Sequence, residues 1–146
     1  MMAVKMLWHM PSSAHTTMVK ARLAQLRALR AFLERFCQAT GVGGDNCLRL
    51  NLVIEELFTN TVRHGYRGDC DAPVWVSLAA REKRITVDYE DTAPAFNPYP
   101  RASLDTTQQI RMVGGRGLVL LQRLALEREY AYLFGRNRIR LVLAAT

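Results

Sequence analysis

The spacing of hydrophobic residues changes along the chain and predicts both strands and helices. Apolar residues alternate with others at Val4, Met6, Trp8 and Met10, which predicts an opening strand. The next segment, SSAHTTMVK, offers serine and threonine caps for an amphipathic helix that ends near Gly41. The apolar residues of this helix recur at intervals of three or four: Leu23, Leu26, Leu29, Phe32, Leu33 and Phe36.

A second helix is predicted from about Cys47 to His64, capped by Asp45 or Asn46. On a helical wheel its apolar residues form one broad face, which is typical of a helix that packs on a sheet. The residues of this face are Leu50, Val53, Ile54, Leu57, Phe58 and Thr61.

The second half of the chain predicts two β-hairpins. VWVSLAA and RITVDYED alternate about a REK turn, and EREYAYLF with RIRLVLAA forms a final hairpin turned by Gly135, Arg136 and Asn137. A third helix is predicted for GLVLLQRLALE, and residues 92–114 lack periodicity, which favours a functional loop. One face of the first hairpin is apolar: Val74, Val76, Leu78, Ile85, Val87 and Tyr89.

This order of elements predicts a single α+β domain over residues 1–146. Because no strand–helix–strand unit repeats, we expect a two-layer α/β sandwich: a mixed, mostly antiparallel sheet with helices on one face. A chain of this length can bury one good core and is too short for two comfortable domains.

Composition narrows the function classes. The net charge of +7 favours an anionic partner or a generic basic surface, and a nucleic-acid binder is supported by net charge alone, because no basic stripe with aromatics is present. Three cysteines at irregular spacing fit neither a disulfide framework nor a zinc site, which predicts a cytoplasmic protein. The apolar stretches are too short for a signal peptide or a membrane span.

Polar side chains follow the border of the second helix's apolar face, in EELFTNTVRHGY. Glu56 and Asn60 are four residues apart, and Arg49 and Arg63 extend the same stripe. An amide oxygen can ligate Mg²⁺, arginines can bind phosphate, and a carboxylate can accept a proton. Taken alone, the stripe fits a solvated border with an Arg–Glu pair better, and His64 fits a structural helix end.

Two later segments favour a nucleotide site over a solvated border. Asp91 ends a strand in EDTAPAFNP, where its carboxylate can point into a cleft. GGRGL opens a predicted helix, where backbone N–H groups can bind phosphate.

These segments resemble the Bergerat-fold (GHKL) ATPases, and within them the small anti-sigma-factor serine/threonine kinases, over nearly the whole chain. EELFTN followed by HG resembles the family's N box, which implies Glu56 as general base and Asn60 as Mg²⁺ ligand. Asp91 corresponds to the aspartate of the D-x-G motif that accepts a hydrogen bond from the adenine amino group. The AFNP ending resembles the subfamily's PFDP.

The resemblance also implies an ATP lid over residues 97–114, closed by a glycine hinge. Two departures from the family pattern stand out. Ala93 replaces the usual glycine, which predicts weaker nucleotide binding. Many relatives offer a threonine of the final strand to the adenine pocket; here the nearest candidates are Asn137 and Arg138, so that contact is not assigned. The implied cofactor-binding residues are Asn60, Asp91, Ala93, Gly115, Arg116, Gly117 and Leu118; the arginines that could meet phosphate are Arg49, Arg63, Arg111 and Arg116.

The function implied by the resemblance is that of a cytoplasmic, ATP- and Mg²⁺-dependent serine/threonine protein kinase. Such a protein holds a sigma factor and phosphorylates an antagonist protein, and relatives of this kind are often homodimers. The alternative is a non-catalytic switch that uses the same nucleotide pocket to gate a protein partner, and Ala93 is its main support.

Overall fold

In the computed structural model, which describes residues 10–97 and 123–145, a layer of two α-helices packs on a sheet of five strands. A short 3₁₀ turn, Leu23–Gln25, leads into the first helix, and a π-helical turn, Thr61–Gly65, extends the second. The elements are β1 (His15–Lys20), α1 (Leu26–Thr40), α2 (Gly44–Asn60), β2 (Pro73–Arg81), β3 (Arg84–Asp91), β4 (Ala125–Leu133) and β5 (Arg136–Ala144). Within these described ranges no helix is long and apolar enough to cross a membrane.

The strands lie in the order β1-β2-β3-β5-β4, and every neighbouring pair is antiparallel. Strand alternation places one apolar face against the helices, and all six residues predicted to share the first hairpin's inner face are buried. The predicted α+β two-layer fold is therefore confirmed. At the end of this inner face, Asp91 of β3 stands opposite Asn137 of β5.

The core lies between the helices and the inner face of the sheet. Phe36 of α1 and Phe58 of α2 have no exposed surface. Burying a side chain of this size stabilises the fold by about 1.5–3 kcal/mol. Because the apolar face of α2 is fixed on the sheet in this way, the last turn of α2 stays beside the ends of β3 and β5. The other core residues of the helices include Leu29, Leu33, Leu50, Val53, Ile54 and Leu57.

The prediction for residues 15–20 was wrong. His15–Lys20, expected to cap a helix, instead forms β1, because Thr17 pairs with Val76 and Val19 with Val74 along the edge of the sheet. Val19 is buried there. The segment predicted as a strand, residues 4–10, lies outside the described residues except for Met10, which is not in a strand.

The ends of three other elements also differ from the prediction. The N-cap of α2 is Gly43, and Asp45 lies in the first turn, where a carboxylate favours the positive end of the helix dipole. Residues 125–127 begin β4 rather than ending a third helix, most of which lies outside the described residues. The last hairpin turns at Phe134 and Gly135, whose φ angles of 54° and 75° suit a tight two-residue turn. Asn137 therefore belongs to β5.

Candidate functional site

A cavity of about 270 Å³ opens where α2 and its π-helical turn meet the ends of β3 and β5. Its apolar lining comes from Leu57, Tyr89, Ala93, Pro94, Phe96 and Ile139. Its polar lining comes from Asn60, Thr61, His64, Arg67, Asp91 and Asn137. A mostly apolar cleft with a few polar groups of this kind is typical of small-molecule sites.

Asp91 lines this cavity, and the residue is only 5% exposed. A buried carboxylate is costly unless hydrogen bonds compensate for the lost water. Thr61 Oγ1 donates to Asp91 Oδ2 at 2.8 Å. The Ala93 backbone N–H and Asn137 Nδ2 donate to Asp91 Oδ1 at 3.1 and 2.9 Å. These three donors fix the orientation of the carboxylate.

Two buried hydroxyl groups form a chain of hydrogen bonds that ends at Asp91. Tyr89 Oη lies 2.7 Å from Thr61 Oγ1. Because the Thr61 proton is donated to Asp91, the Tyr89 hydroxyl is the donor to Thr61. Burial raises the pKa of Tyr89 well above its ordinary value, and the nearby Asp91 charge raises it further. Tyr89 therefore keeps the hydroxyl proton that it donates to Thr61.

Asn137 was predicted to lie in a turn, with no site contact assigned to it, but it lines the cavity. It is 4% exposed, and its Nδ2 donates to Asp91 Oδ1, to the Ala93 carbonyl at 3.0 Å and to the Pro94 carbonyl at 3.1 Å. Its Oδ1 accepts from the Phe96 N–H at 2.9 Å and from Tyr130 Oη at 2.6 Å. The available signal was its phase, since Asn137 alternates with the buried residues Ile139, Leu141 and Leu143.

The π-helical turn brings Gly65 against Ala93. A Cβ added to Gly65 would lie 2.9 Å from the Ala93 Cβ, and Ala93 itself is 2% exposed. The Tyr66 N–H bonds to the Thr61 carbonyl at 2.9 Å, which gives the wider five-residue spacing of this turn. Such turns occur often at functional sites. Here the turn allows helix and strand to approach closely beside the cavity.

The predicted site residues are brought together only in part. Asn60, Asp91 and Ala93 line the same cavity, whereas the partly exposed Glu56, one helical turn before Asn60, is not among the described residues that line it. Arg49 donates to Asn46 Oδ1 at 2.9 Å. Residues 98–122 are outside the described ranges; they contain Gly115, Arg116, Gly117, Leu118, Arg111 and all of the expected lid except Asn97.

The side chains of the cavity fit a metal ion that is coordinated mainly by a bound small molecule and only in part by the protein. In residues 10–97 and 123–145, no group of three His, Cys, Asp or Glu side chains could hold a metal ion. Mg²⁺ commonly takes one or two protein oxygens and completes its shell with phosphate oxygens and water. The Asn60 amide on the cavity wall suits that role.

Comparison with known proteins is consistent with this geometry. The sequence matches the family described as the histidine kinase-like ATPase domain over residues 19–143. No curated protein matches the sequence. A crystal structure of the RsbU and RsbW domains of Rv1364c from Mycobacterium tuberculosis is similar in fold, with a TM-score of 0.64 and 18% identity. The similarity covers 92% of this chain and 33% of that one, so the chain spans about a third of that structure's length.

Proposed function

Because the chain belongs to the histidine kinase-like ATPase domain family, we propose that it is an ATP-dependent serine/threonine protein kinase that acts as an anti-sigma factor. In this proposal the cavity binds ATP with Mg²⁺, while a sigma factor and an antagonist protein are the partners. The observation that carries the proposal is the buried Asp91, whose carboxylate lines a mostly apolar cavity together with Asn60. The N-box resemblance and the similar RsbW-containing structure support the regulatory assignment.

The environment of Asp91 favours adenine over guanine. A carboxylate offers about four acceptor positions, and three are used by Thr61, Ala93 and Asn137. The remaining capacity can accept a hydrogen bond from the adenine amino group. The guanine carbonyl at the same position would instead face the carboxylate with a second acceptor. Leu57 and Ile139 supply apolar surface for the flat base.

The phosphate end of the proposed site begins at Asn60. The bound ATP and Mg²⁺ supply the transferable phosphoryl group and the cation that neutralises its charge. The Asn60 amide oxygen would hold the cation, and the backbone N–H groups of residues 115–118 would hold the phosphates. The Glu56 carboxylate accepts the proton of the substrate's serine or threonine hydroxyl. Its partial exposure on α2 leaves it accessible to a protein substrate.

A second candidate function, the non-catalytic switch, is supported by a separate observation. Glu56 is not among the described lining residues, and the Ala93 methyl group packs on the cavity wall against Gly65. A pocket that binds nucleotide without an aligned base would gate a partner without transferring phosphate. The switch would use the same Asp91 and Asn60 contacts.

Phosphate transfer from labelled ATP to an antagonist captured from the source cell's extract separates the two functions. The change to test is Glu56→Gln, which removes the base and keeps the shape of the side chain. For a kinase we expect the rate to fall by about 10²–10⁴-fold with ATP affinity retained. The matched control is Glu55→Gln, because Glu55 is adjacent but pairs with Arg30 at 2.6 Å. If the wild-type protein binds ATP and captures its partner but transfers no phosphate, the switch replaces the kinase.

We further propose a cellular location and an oligomeric state for the protein. A regulator of a sigma factor works in the cytoplasm, and the resemblance to anti-sigma-factor kinases supports a homodimer. Sedimentation of the purified protein with and without ATP tests the oligomeric state.

A further inference from the structure

We propose that Asn137 is a positioning residue that orients the Asp91 carboxylate, holds residues 93–96 as a wall of the cavity, and thereby sets the preference for adenine over guanine. The proposal rests on the proposed function of this cavity as an ATP site. It assigns to Asn137 an indirect role, through Asp91 and the backbone, rather than a contact with the base.

The hydrogen-bond inventory of Asn137 supports an indirect role. A side-chain amide has two N–H donors and one oxygen with two acceptor positions. The Nδ2 group of Asn137 already has three acceptors within 3.1 Å: Asp91 Oδ1 and the carbonyls of Ala93 and Pro94. Its Oδ1 already accepts two hydrogen bonds, from Phe96 and Tyr130. A contact with a nucleobase would therefore have to break one of these internal bonds.

The contact with Asp91 constrains the carboxylate on one side. Asn137 and the Ala93 N–H both donate to Oδ1, whereas Thr61 donates to Oδ2. The terminal torsion of an aspartate has a broad energy minimum, so donors rather than intrinsic preference decide the plane of the carboxylate. Asn137 stands directly opposite Asp91 in the β3–β5 pair, which gives this donor a fixed origin. Without it, the acceptor direction that remains for the base is less well defined.

The contacts with residues 93–96 hold a part of the chain that has no strand ladder. After β3 ends at Asp91, this segment continues without regular secondary structure and supplies four lining residues, Ala93, Pro94, Ala95 and Phe96. Buried backbone groups need hydrogen-bond partners. The single Asn137 amide serves two carbonyls and one N–H of this segment. It thus replaces the missing ladder.

Tyr130 keeps the amide of Asn137 in this orientation. Its hydroxyl donates to Asn137 Oδ1 at 2.6 Å, which directs Nδ2 toward Asp91. Burial raises the pKa of Tyr130, so the phenol remains protonated and able to donate at neutral pH. Five neighbouring polar groups therefore agree on one rotamer and one amide orientation for Asn137.

The test is the ratio of ATP to GTP affinity, measured by calorimetry with Mg²⁺ for the wild type and for Asn137→Ala. We expect ATP affinity to fall about tenfold or more, as for a lost hydrogen bond to a charged group, with little change for GTP. The selectivity ratio then falls toward one. Asn137→Thr, which restores one donor, should recover part of the ratio. The control is Arg136→Ala, on the opposite face of β5 beside Trp75 and Glu90, and it should change neither affinity.

An equal loss of affinity for both nucleotides, or an unchanged ratio, would overturn the positioning role, since a general folding defect lowers both in parallel. Hydrogen exchange of the nucleotide-free protein gives a second readout that does not depend on ATP. Asn137→Ala should speed exchange at the amides of Ala93 and Phe96 but not at Val87 in the core of β3. Unchanged exchange at both amides would also overturn the proposal. If the wild type binds neither nucleotide, the proposed ATP site fails, and these amides alone decide whether Asn137 holds the segment.

Discussion

The close approach of Gly65 to Ala93 predicts a steric penalty that a second substitution removes. In Gly65→Ala the new Cβ would meet the Ala93 Cβ at 2.9 Å, a separation that real Cβ atoms essentially never show. Gly65 has no positive φ, so its backbone conformation is open to alanine and the penalty is one of packing. Overpacking of this kind costs about 1–3 kcal/mol. Ala93 lies two residues after the end of β3 and is buried.

The double variant Gly65→Ala with Ala93→Gly removes the clash by exchanging the two methyl groups. Ala93→Gly alone should cost about 0.5–1 kcal/mol through added backbone freedom of the unfolded chain. The coupling free energy between the two sites should therefore be about 1–3 kcal/mol and favour the double variant.

Urea unfolding of the wild type, both single variants and the double variant measures this coupling. Gly44→Ala is the control, because a Cβ at Gly44 meets nothing within 4 Å and the residue lies in the first turn of α2. It should be neutral or slightly stabilising. A Gly65→Ala variant as stable as the wild type, or a coupling free energy of zero, would refute the packing argument.

Three further predictions follow from single residues. Asn60→Ala should abolish the Mg²⁺ dependence of ATP binding in calorimetry, whereas Asn51→Ala, which removes hydrogen bonds to the Cys47 carbonyl and sulfur, should preserve it. Cys37 should alkylate more slowly than Cys70 in a mass-spectrometric time course, because burial and the neighbouring Cys47 raise the pKa of Cys37 to about 12. The unfolding free energy should fall as pH rises above about 10, because Tyr89 stays protonated when folded and ionises when unfolded. Tyr89→Phe should reduce that fall, and an identical pH profile would contradict the assignment.

The spacing of apolar residues correctly predicted the helices and the first hairpin, which are elements that local sequence determines. Helical spacing located α1 and α2, and alternation located the β2–β3 hairpin with its buried face. Strand β1 was missed because HTTMVK carries polar residues that also suit helix caps. Its strand conformation depends on pairing with β2, more than fifty residues later in the chain. The information that decides such a segment is tertiary.

The residues of the candidate site were likewise predictable only in part. Motif resemblance placed Asn60 and Asp91, and the structure brings both to one cavity. Asn137 was assigned to a turn because Gly135 next to polar residues is a strong turn signal. The turn instead uses Phe134 with a φ of 54°, which leaves Asn137 on the inner face of β5. A polar residue in the apolar phase of a strand is the sequence feature that marks such a position.

Asp91 is proposed to accept a hydrogen bond from an adenine base in this cavity, and titration of the wild type and Asp91→Asn with ATP and GTP tests this contact most directly. The wild type should prefer ATP by at least about tenfold, and Asp91→Asn should lose about 1.5–3 kcal/mol of ATP binding free energy, the contribution of a hydrogen bond to a charged group. A circular dichroism melt checks that the variant is folded. Equal affinity of the wild type for ATP and GTP, or an undiminished affinity of folded Asp91→Asn for ATP, would contradict the account.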